Sequence, residues 1–411
     1  MALKNRFELR TWDRPLLGAI LGLMIAGLFC LYSATSRDGS LWNPFNKQII
    51  WMLLGWGVII GMMFIPTRFF YRGAYLWYGL SIVLLAAVLV RSGRGVNRWI
   101  DLGVIQFQPS ELAKVASILL MAKILSEDRV DRFNWKRGLL AGATVIPPML
   151  LIAREPDITT ALVFIPMALI MLLWAGMPFK WLVWIICPAL GFFAGFVPVL
   201  LAVLILVLIS VMVLKRMRWV MIGLLVGSCL AVGLLAPSIW SQMEPYQQQR
   251  IMIFLGMRSD PHGAAYQVIQ SKVAIGSGGI IGKGFLQGSQ TQLRFLPEQH
   301  TDFIFSVLGE EFGFIGAALV MILIVTLLTR MVYIARTTHD RFAGFAILGG
   351  TSVIAVQALI NIAMTVGLAP VTGLPLPFMS YGGSSMIASS LMVALAANGA
   401  VNRFDYRSTR I

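Results

Sequence analysis

Charge is scarce in this sequence. Asp, Glu, Lys and Arg make up 12% of its 411 residues, about half the roughly 25% of soluble domains. Apolar residues dominate in unbroken runs that do not alternate with polar ones, so half-buried strands are not expected. An open sheet is excluded as well, since lipid leaves its edges unsatisfied. Cysteine and histidine number three each. Cys30, Cys187 and Cys229 all fall inside apolar runs, which leaves no disulfide framework and no zinc cluster. His262 and His300 are too far apart in sequence for a local metal motif. No A-x-A-like cleavage site follows the first run, so that run is expected to stay as an anchor.

What the chain has is hydrophobicity: 58% of its residues. Twelve runs are long enough to read as spans: 15–34, 49–65, 74–90, 110–125, 138–153, 158–176, 180–197, 199–214, 218–236, 303–329, 342–367 and 382–401. The expected fold class is therefore all-α, a polytopic transmembrane bundle of about twelve spans forming a single integral membrane domain over 1–411. The stretch 180–214 would be about 52 Å of helix, too long for one crossing of a core about 30 Å thick. A tight hairpin near Pro198 resolves it. The net charge of +15 reads as topology signal, not as a nucleic-acid surface. With the N-terminus inside, 20 cationic residues fall on one face and 11 on the other. That arrangement puts both termini in the cytoplasm and a large loop, 238–302, outside.

The loop gathers the reactive side chains: Arg250, Arg258, Asp260, His262, Lys272, Lys283, Arg294, Glu298, His300 and Asp302. Its interleaved Ile, Val, Phe and Leu argue against disorder. Asp260 precedes Pro261 and Gly263, a turn signal. The carboxylate either caps that turn or is presented by it. The run Gly276-Ser277-Gly278-Gly279-Ile280-Ile281-Gly282-Lys283-Gly284 fails the phosphate-loop pattern, because Ser277 and Gly284 occupy required positions. Its amides, beside Lys272 and Lys283, are candidates to receive an anion, with flexible turns as the alternative. Glu111 and Lys114 share a helix face. Ionisable groups near membrane depth mark function or, as an ion pair, fix helix packing. Two external segments, Arg91 to Ser110 and Gly367 to Ser385, mix polar, Gly and Pro residues with aromatics and are expected to line a cavity.

Four segments together resemble one family. They are NRWIDLGVIQFQPSELAK (Asn97 to Lys114), EPDITTAL (Glu155 to Leu162), the loop from Gln249 to Phe305, and PVTGLPLPFMSYGGSS (Pro370 to Ser385). In this order they are similar to the SEDS (shape, elongation, division, sporulation) cell-wall polymerases, and to the elongation branch more than the division branch. Two departures stand out. Many members have ten spans, so an added hairpin is expected within 180–236. The common Gln-Pro-Asp-Leu-Gly-Thr reads Glu155-Pro156-Asp157-Ile158-Thr159-Thr160.

The resemblance implies a peptidoglycan glycosyltransferase that polymerises lipid II with inversion at the anomeric carbon and releases undecaprenyl diphosphate. Asp260 is then the catalytic residue. Substrate-binding positions are Glu111, Lys114, Arg98, Arg258, Lys272, Lys283, His300, Ser380 and Tyr381. A divalent ion, Mg²⁺ or Mn²⁺, is the expected cofactor. Expected partners are a class B penicillin-binding protein, which would supply the crosslinking for which this chain has no Ser-x-x-Lys motif, and the rod-shape elongation complex. The bacterial cytoplasmic membrane is the expected location. The competing readings are a flippase for lipid-linked precursors and the division-specific polymerase. No inverted repeat of the transporter kind is evident.

Overall fold

Every apolar run lies on helix. The structure is a computed structural model describing residues 12–36, 43–92, 98–101, 106–127, 133–155, 157–254, 264–293, 295–296 and 298–402. Its chain divides into two units, residues 1–175 with 259–411, and residues 176–258.

The first unit opens with α1 (Arg14–Thr35), α2 (Pro44–Met63), α3 (Thr67–Ser92) and α4 (Pro109–Ser126), then α5 (Trp135–Ala143), α6 (Ile146–Arg154) and α7 (Ile158–Trp174). The start signals are local. Asp13 and Asn43 accept the first-turn amides of Leu16 and Asn46, with Pro just inside each helix, where its missing N–H costs nothing. The predicted span 138–153 is two helices, because Pro147 and Pro148 remove two donors. The Thr144 carbonyl at this break takes a 2.7 Å hydrogen bond from the Tyr78 hydroxyl.

The second unit holds a short 3-10 turn (Phe179–Leu182), α8 (Val183–Ala194), α9 (Pro198–Leu214), α10 (Trp219–Gln242) and α11 (Pro245–Phe254). The expected break near Pro198 falls at Gly195–Val197. Helices α8 and α10 approach closely at glycine: a Cβ on Gly195 would lie 2.1 Å from the Gly233 carbonyl oxygen.

The chain then returns to the first unit with α12 (Ala264–Gly278), α13 (Ser289–Gln292), α14 (Ile304–Thr337), α15 (Arg341–Thr365) and α16 (Gly383–Asn402). The region expected as a loop, 238–302, is thus substantially helical among its described residues. One small ladder departs from the all-helix expectation: Ile100–Asp101 pairs antiparallel with Gln106–Phe107.

By length and composition, eight helical stretches among the described residues can cross a bilayer. Helix α4 carries Glu111, Lys114 and Lys123 within 18 residues, and α7, Phe179–Ala194 and α9 are shorter. Helices α15 and α16 are 78% and 83% buried over their apolar windows, and nearly every α4 side chain is buried. Buried on most of their sides, these three form the centre, and the remaining spans of this unit meet lipid. Around the centre, α1 and α14 run antiparallel and are joined at both ends. The Arg330 fork holds Asp13 at 2.6 and 3.1 Å, and the Ser33 hydroxyl donates to Glu311. Those anchors stand about 28 Å apart along α14, close to the thickness of a hydrocarbon core.

Candidate active site

The four resembling segments do not stay apart. The loop between α15 and α16 begins at Gly367 (φ +78°) and is held from several sides. Asn361 donates to the carbonyls of Leu374 (2.7 Å) and Asp302 (2.9 Å), tying this loop to the start of α14. Gln48, fully buried on α2, donates to the Ser380 carbonyl at 3.1 Å and accepts from the Gly382 amide at 3.4 Å. Ser384 accepts from the Gln108 amide (3.0 Å) and donates to the Gln106 carbonyl (3.2 Å), which fastens the β-ladder segment to α16. Phe378 holds a left-handed φ of +65° while buried, a conformation that costs about 1–3 kcal/mol and persists only where its surroundings impose it.

Within this frame the predicted residues separate by role. Ser380 is buried, and its hydroxyl accepts from the Leu376 amide at 2.8 Å, so it shapes the turn. Tyr381 donates its amide to the His300 carbonyl at 3.0 Å, and the two rings lie 5.9 Å apart. Burial raises the Tyr381 phenol above its ordinary value, so at neutral pH it remains a hydrogen-bond donor. Lys272 on α12 lies across the loop's first residue: its Nζ is 2.4 Å from where a Gly367 Cβ would stand. This lysine is exposed and pairs with no described residue. Ser271 beside it pins α12 in place, bonding the Ser306 hydroxyl and the Thr365 carbonyl at 2.6 Å each.

Other predicted cations are already engaged. Lys114 is fully buried and donates to Glu111 at 2.7 Å. Lys283 donates to Glu310 (2.7 Å) and to Ser289 (2.8 Å). Arg98 donates to the Glu155 carbonyl at 3.2 Å and lies 3.8 Å from the Asp157 carboxylate. Asp157 also caps α7 through the Thr160 amide and hydroxyl. Glu155 is 4% exposed, with neither carboxylate oxygen hydrogen-bonded among the described residues. Desolvation, then the neighbouring Asp157 charge, pushes its pKa up to about 7, against the pull of Arg98. Asp260 and Arg258 lie outside the described residues.

The glycine run is spliced into a broken helix. Gly313 has φ 62° and ψ −159°, which interrupts α14. The amides of Lys283 and Gly284 donate to the Glu310 and Glu311 carbonyls at 3.0 Å each, and Phe314 and Ile315 donate back to Gly279 and Ile280. The orphan groups of the kink are thereby paired. The amides of 282–284 are occupied by protein carbonyls and do not face an anion. Beneath them, fully buried Glu310 also accepts from the Gln290 amide, the Thr291 amide and the Thr291 hydroxyl.

The sequence reading did not single out Gln48, Asn361, Glu310 or Glu311. The two glutamates were findable, since adjacent carboxylates inside an apolar run need partners. The amides were not, because their partners lie in other helices. Among the described residues, no three His, Cys, Asp or Glu side chains are gathered to hold a metal. A cavity of about 340 Å³ lies between α2, α3, α4 and α16, lined by Met62, Phe70, Trp77, Leu84, Val115 and Leu119 among other apolar residues.

The cell cycle protein family of FtsW, RodA and SpoVE matches residues 14–205 and 195–404. The chain belongs to this family. Among SEDS relatives, peptidoglycan glycosyltransferase MrdB of Escherichia coli K12 is 35% identical over 91% of this chain and 90% of its own. Peptidoglycan glycosyltransferase RodA of Treponema pallidum is 31% identical, covering 94% and 98%. Among solved structures, a chain described under "Structural coordination of polymerization and crosslinking by a peptidoglycan synthase complex" matches with TM-score 0.70 and 30% identity, over 96% of this chain and 99% of that one. The Thermus thermophilus rod shape determining protein RodA matches in fold, with TM-score 0.62 at 24% identity, over 96% and 98%.

Proposed function

We propose that this chain is a peptidoglycan glycosyltransferase that polymerises lipid II during cell elongation. The observation that carries the proposal is the identity to MrdB across nine-tenths of both chains. The convergence of the motif segments at the shared end of α12, α14, α15 and α16 supports it. Asp260 is the base. Its carboxylate takes the proton of the acceptor 4-hydroxyl as that oxygen bonds to the donor's anomeric carbon. The bond from that carbon to diphosphate breaks, and undecaprenyl diphosphate leaves with its electron pair. One base suffices because diphosphate is already a good leaving group, while its developing charge calls for cations. Lys272 and Arg258 take that role in the proposal. Lys114 and Lys283 are committed to carboxylates and hold the frame, and Arg98 orients the segment before α4. The Tyr381 phenol and His300 flank the substrate's polar head.

The apolar cavity beside α3 and α4 suits a polyprenyl tail. A divalent ion, Mg²⁺ or Mn²⁺, would supply further positive charge for the departing diphosphate; the described residues hold no cluster of carboxylates or imidazoles that fits it. The protein sits in the bacterial cytoplasmic membrane with both termini inside and 238–302 outside. A class B penicillin-binding protein would crosslink its product, as the relative's complex of polymerisation and crosslinking suggests, and the rod-shape complex would recruit it. The test is purified full-length protein, with and without that partner, given labelled lipid II. Wild type makes polymer, and Asp260→Ala makes none at unchanged expression. Full activity in that variant removes Asp260 from the mechanism. No polymer from wild type with its partner sinks the enzyme reading.

A further inference from the structure

We infer that Lys47 binds the diphosphate of the second lipid-linked substrate, the acceptor. The inference rests on the glycosyltransferase reading above. That reaction joins two molecules, each carrying a diphosphate on a polyprenyl tail. Only the donor loses its diphosphate. The acceptor keeps its own, so the site must hold two such anions at once. Lys272, across Gly367 at the start of the 367–382 loop, meets the departing one in that reading. The other needs a cation elsewhere.

Lys47 supplies it at the opposite end of that loop. It lies in the first turn of α2, half-buried, and among the described residues its ammonium has no hydrogen-bond or ion-pair partner. Its neighbours set its position. Gln48 bonds the Ser380 carbonyl and the Gly382 amide. Trp51 and Gly55 follow Lys47 at successive turns on one face of α2. That face packs on α16: a Cβ on Gly383 would lie 2.2 Å from Trp51 Cε2, and one on Gly55 would lie 2.6 Å from Ser390 Oγ. Further along, Asn398 donates to the Met62 carbonyl at 2.7 Å, so the two helices run parallel. Lys47 therefore stands about 6 Å beyond the level of Gly383, alongside Ser380 to Gly382. The same seam leads down to the apolar cavity of about 340 Å³, which takes Met62 from α2 and Leu391 and Leu395 from α16. Met62 lies about 22 Å along α2 from Lys47. A diphosphate on Lys47 thus has a seat for its own tail beneath it, and a lysine ammonium binds phosphate as a compact point charge.

The test is steady-state polymerisation of lipid II by purified full-length protein with its partner. An interaction held equally in ground and transition states changes KM alone, and one that grows in the transition state changes kcat. Lys47→Ala should raise the KM for lipid II about tenfold or more at nearly unchanged kcat. Lys47→Arg should restore most of that affinity, and Lys272→Ala should lower kcat instead. The Lys47→Ala melting curve should match the wild type, because no protein group loses a partner. A second readout needs no catalysis: in native mass spectrometry the wild type should retain two undecaprenyl diphosphate molecules and Lys47→Ala one. An unchanged KM in a variant that still makes polymer overturns the inference and leaves the enzyme reading standing. A lower kcat at unchanged KM moves Lys47 to the departing diphosphate and overturns the acceptor assignment. A raised KM with equal retention of undecaprenyl diphosphate means that Lys47 meets a peptide carboxylate of the substrate, which overturns the diphosphate assignment.

Discussion

Glu155 stands where many SEDS members carry glutamine, so Glu155→Gln tests what burial has done to this carboxyl. The side chain is 4% exposed, its oxygens have no hydrogen-bond partner among the described residues, and Asp157 lies two positions on. Desolvation and that neighbour raise its pKa from 4.5 to about 7. Below pH 4.5 the group is protonated in both folded and unfolded chains and costs nothing. Between pH 4.5 and 7 the unfolded chain has released its proton and the folded chain still holds it, so stability falls as pH rises. Above pH 7 the loss is constant, about 3 kcal/mol for a shift of about 2.5 units. Glutamine keeps the shape and cannot ionise. Thermal unfolding in detergent from pH 4 to 9 should therefore give matching curves at the acid end. The gap should open in favour of Glu155→Gln between pH 4.5 and 7 and stay level above. A gap independent of pH, or a variant less stable at pH 8, would mean the carboxylate is charged and well partnered, and the reasoning fails.

Lys272 and Lys283, alike in sequence, should part company on substitution. Lys283→Ala strands the buried Glu310 charge and should cost about 2 kcal/mol or more in thermal unfolding. Lys272→Ala should leave stability within about 0.5 kcal/mol and lower lipid II polymerisation about tenfold or more; the opposite pattern would refute the assignment. Gly282→Ala places a Cβ 2.2 Å from the Glu311 carbonyl oxygen at a φ of +92° and should cost about 3 kcal/mol. Gly276→Ala, with open space around its Cβ, should be neutral or stabilising by about 0.5–1 kcal/mol in the same melt.

Much of the helix layout was legible because apolarity along a run is a local property. The break near Pro198 was legible for the same reason, as a mismatch between run length and bilayer thickness. The break at Thr144 was missed although Pro147 and Pro148 signalled it, because proline is tolerated in spans where a neighbour repairs the ladder. Here Tyr78 does so from α3. The glycine run was legible as unusual and not as a splice. Its partners, Glu310 and Glu311, lie some thirty residues further on, inside a stretch that reads as uninterrupted span.

From its residues alone this chain was bound to be a helical membrane protein of the SEDS family, because lipid demands long apolar helices and the four motifs occur in order. Which charges can meet a substrate was decided only in three dimensions. Lys114, Lys283 and Lys272 carry the same ammonium, but the first two are neutralised by Glu111 and Glu310 and the third lies open across Gly367. An ammonium's availability depends on the carboxylate that folding brings within 3 Å. For Lys283 that carboxylate comes from another helix, a distance that spacing along the chain does not encode.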